Sequence, residues 1–205
     1  MKSIRTFCLL SVLTISIFTL GQTSGTSGAP ASTPPAQQSS QPAPTIAASV
    51  DGAVSIYEKL MVDAADAMPE DKFNFTPAGL NIPGSAFKDV RTFAQLIKHT
   101  AAANYRLWTN VSGDKMPDNI KGTNGPDELK TKAEIMQLLK DSFAAGHRAA
   151  KSLTAENMLN QIPFRGGTST RLFVATFGVI HDGDEYGQMV EYLRMNGIVP
   201  PASRH

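Results

Sequence analysis

Apolar side chains recur at three- and four-residue intervals in four separate stretches of this 205-residue chain, and that period limits its fold more than any other feature. The first stretch runs from about Ser49 to Ala67, with Val50, Val54, Tyr57, Leu60, Met61 and Ala64 on one side. The second begins near Val90 and carries Phe93, Leu96, Ile97, Thr100, Ala103 and Leu107, ending around Gly113. The third follows the loop Gly122 to Asp127, with Ile135, Leu138, Leu139, Ser142, Ala145, Ala149 and Leu153, and Thr154 closes it. After a turn at Phe164 to Ser169, the fourth starts near Thr170 and carries Phe173, Phe177, Ile180, Tyr186, Val190 and Leu193. Gly197 and Pro200-Pro201 stop it, since glycine caps a helix and proline cannot continue one. Few runs alternate with the period of two that a strand requires. The pattern predicts an all-α fold, a four-helix bundle, although another all-helical packing would give the same stripes.

Ahead of the stripes the chain changes character twice. Lys2 and Arg5 precede an uncharged, largely apolar run from Phe7 to Leu20, and small residues follow at Gly21. This is the layout of a signal peptide over residues 1–21, cleaved before Gln22. The run falls short of the roughly 20 apolar residues that cross a bilayer, so no stable membrane span is expected. Residues 22–48 are almost all Gly, Ser, Thr, Ala, Pro and Gln, a composition that cannot offset its ordering entropy and reads as a flexible tether. The bundle then occupies 49–205, and the mature protein is expected to be exported, periplasmic or secreted.

Cys8, the single cysteine, falls within the signal segment. The mature chain is therefore expected to have no disulfide, no thiol nucleophile and no thiolate ligand. Formal charge is +1, and turns slightly negative once Lys2 and Arg5 are removed. That balance gives no basic footprint for a nucleic acid partner. A homodimer is one assembly that bundle faces allow, but Met61, Trp108 and Met195 mark no interface.

Chemistry-bearing residues gather on the second and fourth stripes. His99 shares a side with Leu96 and Ala103, whereas His147 sits among Ala144, Arg148 and Lys151 as a surface or boundary residue, and His205 is terminal. His181 borders the apolar side of the fourth stripe, and Glu185 lies four residues on, hence on the same helical face. Bundle interiors build metal sites from such residues on facing helices. Two imidazoles and a carboxylate suit zinc, nickel, iron or manganese and leave positions open for water. A solvent-facing acidic cluster of Asp182, Asp184 and Glu185 is the competing reading.

Three local motifs carry a family resemblance. His181-x-x-x-Glu185-Tyr186-Gly187-Gln188, followed by Tyr192-Leu193-Arg194-x-x-Gly197-Ile198-Val199-Pro200-Pro201, resembles the last helix of the DinB-like family. Ala67-Met68-Pro69-Glu70-Asp71-Lys72-Phe73-x-Phe75-x-Pro77 resembles the end of its first helix, and Arg91 to His99 resembles its second. The resemblance spans the region after the tether. It implies a four-helix bundle with a divalent metal held by three histidines at one end of the core. His99 and His181 match two of those ligands, while the third, four residues after the second, is Glu185 here. That departure implies a harder donor and one more negative charge, or a weakened site. Gln188, one turn from Asp184 and Glu185, is expected with Asp184 to support the ligands, and Gly187 to permit close helix contact. Asn104 and Tyr105 are candidates for the open end of the site.

Two functions follow from the resemblance. One is a metal-dependent hydrolase or transferase acting on a small molecule, with Glu185 as ligand or as general base. Hydrolysis fits export better than transfer of an intracellular thiol. The other is a non-catalytic metal- or ligand-binding envelope or stress protein with a weakened site.

Overall fold

The computed structural model of the protein describes residues 43–204; the expected signal peptide, the tether up to residue 42 and His205 lie outside the described residues. Four helices dominate: α1 (Ile46–Ala67), α2 (Phe93–Ser112), α3 (Lys132–Lys151) and α4 (Arg171–Met195). Each begins at a threonine whose side chain accepts a backbone N–H one turn on: Thr45 from Ala48, Thr92 from Gln95, Thr131 from Glu134 and Thr170 from Phe173. At Thr92 and Thr131 the Gln95 and Glu134 side chains bond back to the cap, completing capping boxes. These caps place the start of α1 at Ile46, three residues before the expected position, and of α2 at Phe93, three residues after it.

Packing runs α1–α3–α2–α4 around the bundle, with α4 closing onto α1, so helices adjacent in sequence lie diagonally at α1/α2 and α3/α4. Long connections make those crossings. The first carries short 3-10 turns at Glu70–Lys72 and Pro77–Leu80, and the second carries a hairpin of β1 (Gln161–Phe164) and β2 (Gly167–Thr170). The strands are only four residues each, too short for their alternation to stand out in the sequence; of the expected turn at 164–169 only Arg165 and Gly166 form the tip, the other four residues being paired in the strands. Its central residues Arg165 and Gly166 have φ 48° and 81°, the pattern of a type I′ turn. The left-handed region costs a side chain such as Arg165 roughly 1–2 kcal/mol. Among the described residues no helix is long and apolar enough to cross a membrane.

The first three stripes point inward broadly as expected. The fourth does not. Phe173 and Ile180 are 51% and 61% exposed, and α4 instead buries Val174, Ala175, Gly178, Asp182, Glu185, Met189, Tyr192 and Leu193. Apolar residues flank this helix on two sides while two carboxylates occupy the inward face, so apolar period alone selects the wrong side. Trp108 of α2 is fully buried at the centre. A Cβ at Gly178 would lie 2.7 Å from its ring, and one at Gly146 of α3 would lie 3.1 Å from its indole nitrogen. Gly187, expected to permit close contact, is exposed, and a Cβ there would meet nothing within 4 Å.

His147 is half-buried between α3 and α1, with Nδ1 2.7 Å from Asp51 Oδ1 and Nε2 2.9 Å from Glu58 Oε2. Burial disfavours its charge, but the bonds to Glu58 and Asp51 outweigh that and raise its pKa above the ordinary imidazole value. A raised folded-state pKa stabilises the fold below about pH 6.5, and that stabilisation is lost as pH rises through the folded value.

Gly178→Ala is expected to cost about 1–3 kcal/mol by forcing the Trp108 ring to move, while Gly187→Ala gains up to about 1 kcal/mol of helix propensity. Urea denaturation of both variants checks this, and equal stabilities would contradict the packing described. His147→Gln is expected to lose about 1 kcal/mol or less near pH 6, because the pair is partly screened by solvent, and less still at pH 9. A stability difference that does not change between those two pH values would refute the charged bridge.

Candidate metal centre

His99 comes from the second turn of α2, and His181 and Glu185 from the middle of α4, the helix packed beside it. Four-residue spacing stacks the latter two on one face. Both histidines are half-buried and Glu185 is buried. Glu185 Oε1 lies 3.5 Å from Nε2 of His99 and 3.5 Å from Nε2 of His181. Charge-assisted hydrogen bonds run to about 2.7–2.9 Å, so neither contact is a good one. Donors held about 2.1 Å from a shared zinc ion in a tetrahedron would be roughly 3.4 Å apart, which matches the two distances from Glu185. One donor atom from each of the three residues lies within 4.8 Å of the others.

The loop after α2 orients the first imidazole. His99 Nδ1 donates to the Thr123 carbonyl at 2.6 Å; a carbonyl can only accept, so the proton is on Nδ1 and the Nε2 lone pair faces Glu185. Lys98, buried beside His99, holds that loop by donating from Nζ to the Pro126 carbonyl at 3.0 Å. Gly125 makes the close approach possible, with φ 70° and no room for a Cβ, which would lie 2.9 Å from the Lys98 carbonyl oxygen. Nothing in the sequence marks Lys98 for this role, since lysine in a helix normally faces water.

Electrostatics suit a cation. Burial lowers the His99 pKa; the Thr123 bond opposes this, and Arg91 and Arg106 add to it. His181 is pushed down to about 4 by burial and then by His99, with Arg165 and Arg91 acting the same way against Asp184. Both rings are therefore neutral near pH 7, the form that binds metal. Glu185 is pushed up to about 7 by burial, with Arg91 opposing and Asp184 reinforcing the shift. Its Oε2 is buried without a hydrogen-bond partner among the described residues. Two neutral imidazoles facing a carboxylate that lacks solvation fit a divalent ion.

The acidic run does not form one solvent-facing cluster. Asp184 is exposed, whereas Asp182 and Glu185 are buried. Asp182 is fully buried beside Asn104, and burial pushes its pKa up to about 8, an effect Asn104 opposes and Glu185 reinforces. Its spacing of three from Glu185 and seven from Met189 is the signal that could have placed it inward. Gln188 donates to Asp184 at 3.4 Å, and both are exposed; neither hydrogen-bonds to the three candidate ligands. Asn104 points into the bundle, 3.4 Å from Ser142, and lines no opening, while Tyr105 is also buried. A cavity of about 490 Å³ opens instead beside His181, walled by α2 and the hairpin.

The sequence profile of the DinB superfamily matches residues 57–189. Among solved structures, the crystal structure of a DinB-like protein from Bacillus cereus aligns with a TM-score of 0.57 at 14% identity, over 74% of this chain and 93% of that one. At that identity the likeness concerns the fold. No curated protein matches the chain. With the matched span reaching from α1 into α4, and with a four-helix fold shared with a DinB-like protein, the chain belongs to the DinB superfamily.

Proposed function

We propose that this is an exported protein that binds a divalent metal through His99, His181 and Glu185 and uses it in hydrolysis of a small molecule. The spacing of Glu185 Oε1, 3.5 Å from each histidine Nε2, carries the reading. Export rests on the charged start and apolar run of residues 1–21.

Three protein donors leave at least one coordination position for water or substrate. Bound there, a divalent ion would supply Lewis acidity and lower the pKa of a coordinated water. The chain's own residues do the rest. The Thr123 carbonyl fixes the His99 tautomer, and the low pKa of His181 keeps its ring available as a ligand. Glu185 Oε1 faces both rings, which favours a ligand over a free general base. The cavity at His181 gives a small molecule access. Replacing a third imidazole by carboxylate shifts preference toward harder ions such as manganese and iron, while two imidazoles still suit zinc and nickel.

Metal analysis after reloading should find one ion per chain in the wild type and none in His99→Ala, His181→Ala or Glu185→Ala. At about a hundredfold excess over Kd, the ion should stabilise the fold by about 2.7 kcal/mol, roughly 5–10 °C in Tm for a domain of this size. Wild-type protein that takes up no metal sinks the reading. Stoichiometric metal without turnover of any ester or amide across a broad panel would leave a binding protein and overturn the hydrolase.

A further inference from the structure

The cavity beside His181 has a chemical bias that the three candidate ligands do not explain. Arg106 from α2 and Arg165 from the hairpin tip both line it, together with Leu107, Phe164, Phe177 and His181. No acidic side chain is in its wall, and neither arginine has a carboxylate within ion-pair distance among the described residues. The rest of the lining is mostly apolar, with Asn110 and Thr123 as its other polar residues. Two uncompensated guanidiniums beside aromatic and aliphatic surface describe a site for an anion attached to an apolar body.

Arg165 is held in place with some care. Asn110 of α2 donates to the Pro163 carbonyl at 2.6 Å, tying β1 to the helix that supplies Arg106. The ladder continues past the strands, with Arg171 N–H donating to the Asn160 carbonyl at 3.0 Å. Arg165 then packs its guanidinium 4.5 Å from the Phe177 ring centre and 5.5 Å from that of Phe164. Its backbone has φ 48°, a position where asparagine or glycine is favoured. The turn conformation does not call for an arginine at this tip, whereas the stacking on Phe177 and Phe164 places its guanidinium at the cavity wall.

We propose that this cavity binds the carboxylate of a small, apolar, preferably aromatic acid, with Arg106 and Arg165 taking the anion and Leu107, Phe164 and Phe177 the body. His181 lines the same cavity, so the proposal rests on the metal reading for what happens to the ligand, though not for its binding. A carboxylate is favoured over a phosphate because the wall offers two guanidiniums and much apolar surface, whereas phosphate sites recruit further cations or helix N-termini.

The test is calorimetric titration of the full chain, chelator-treated and zinc-loaded, with benzoate, benzamide and phenyl phosphate, with metal uptake measured on the same samples. Benzoate should bind saturably in both forms and at least tenfold more tightly than benzamide. Arg106→Gln and Arg165→Asn should each weaken benzoate about tenfold and leave benzamide unchanged, the loss of one charged hydrogen-bonding partner. Arg165→Asn suits the turn, so thermal stability equal to or above wild type alongside that loss supports a binding role for Arg165. Benzoate and benzamide binding alike, arginine variants that bind benzoate like wild type, or phenyl phosphate binding more tightly than benzoate would each overturn the proposal. Absent metal uptake with arginine-dependent benzoate binding would remove the metal centre and leave this site standing.

Discussion

The indole of Trp108 sets the distances on which the rest of the bundle depends. It sits in the C-terminal half of α2 with no exposure, and α3 and α4 come close to it at positions that have no side chain, Gly146 and Gly178. Protein interiors are packed too densely for a rigid bicyclic ring to yield, so these contacts act as a spacer between helices. Gly178 lies three residues before His181, on the same face of α4. Trp108 lies nine residues after His99 on α2, so the contact that spaces α2 from α4 is less than one turn from His181 but about two and a half turns from His99.

That spacing brings together groups whose solvation conflicts. The inward face of α4 buries two carboxyl groups, Asp182 and Glu185, and burial raises the pKa of both. Buried carboxylates persist only when protonated, hydrogen-bonded or matched to a cation. Asp182 takes the first course, with its pKa near 8 and Asn104 beside it. Glu185 faces two imidazoles that cannot serve as cations near neutrality, because the His181 ring is pushed down to about 4 and His99 is lowered as well. A carboxylate facing two neutral rings is an arrangement that a positive ion would satisfy.

Much of this was legible in the sequence, and what escaped had physical reasons. Helical period located all four helices, and the intervals between His99, Leu96 and Ala103 and between His181 and Glu185 marked the three residues that the fold brings together. Period failed on α4, where Phe173 and Ile180 outside compete with Met189 and Leu193 inside, and where the inward face is partly acidic. Asp182 was hidden for the same cause, an acid being read as solvent-facing. Gly187 looked like the contact glycine because it sits in the motif, whereas Gly178 serves that purpose through a tryptophan distant in sequence. Lys98 and the hairpin left no pattern: one buried lysine and two four-residue strands take their roles wholly from tertiary contacts.

The bond that orients His99 has one further property. Its acceptor is the main-chain carbonyl of Thr123, which every residue type possesses, so exchanging the side chain at 123 cannot delete it. What can delete it is a change in the path of the loop. That path depends on Gly125, whose φ of 70° and contact with the Lys98 backbone exclude any larger residue, and on the Lys98 ammonium that gathers the carbonyls of Pro126 and Leu129. Mutational sensitivity of the imidazole is therefore displaced from its own partner to two residues that never touch it through a side chain–side chain bond. A tolerant position 123 between intolerant neighbours at 98 and 125 would be the genetic trace of a site geometry written in the main chain.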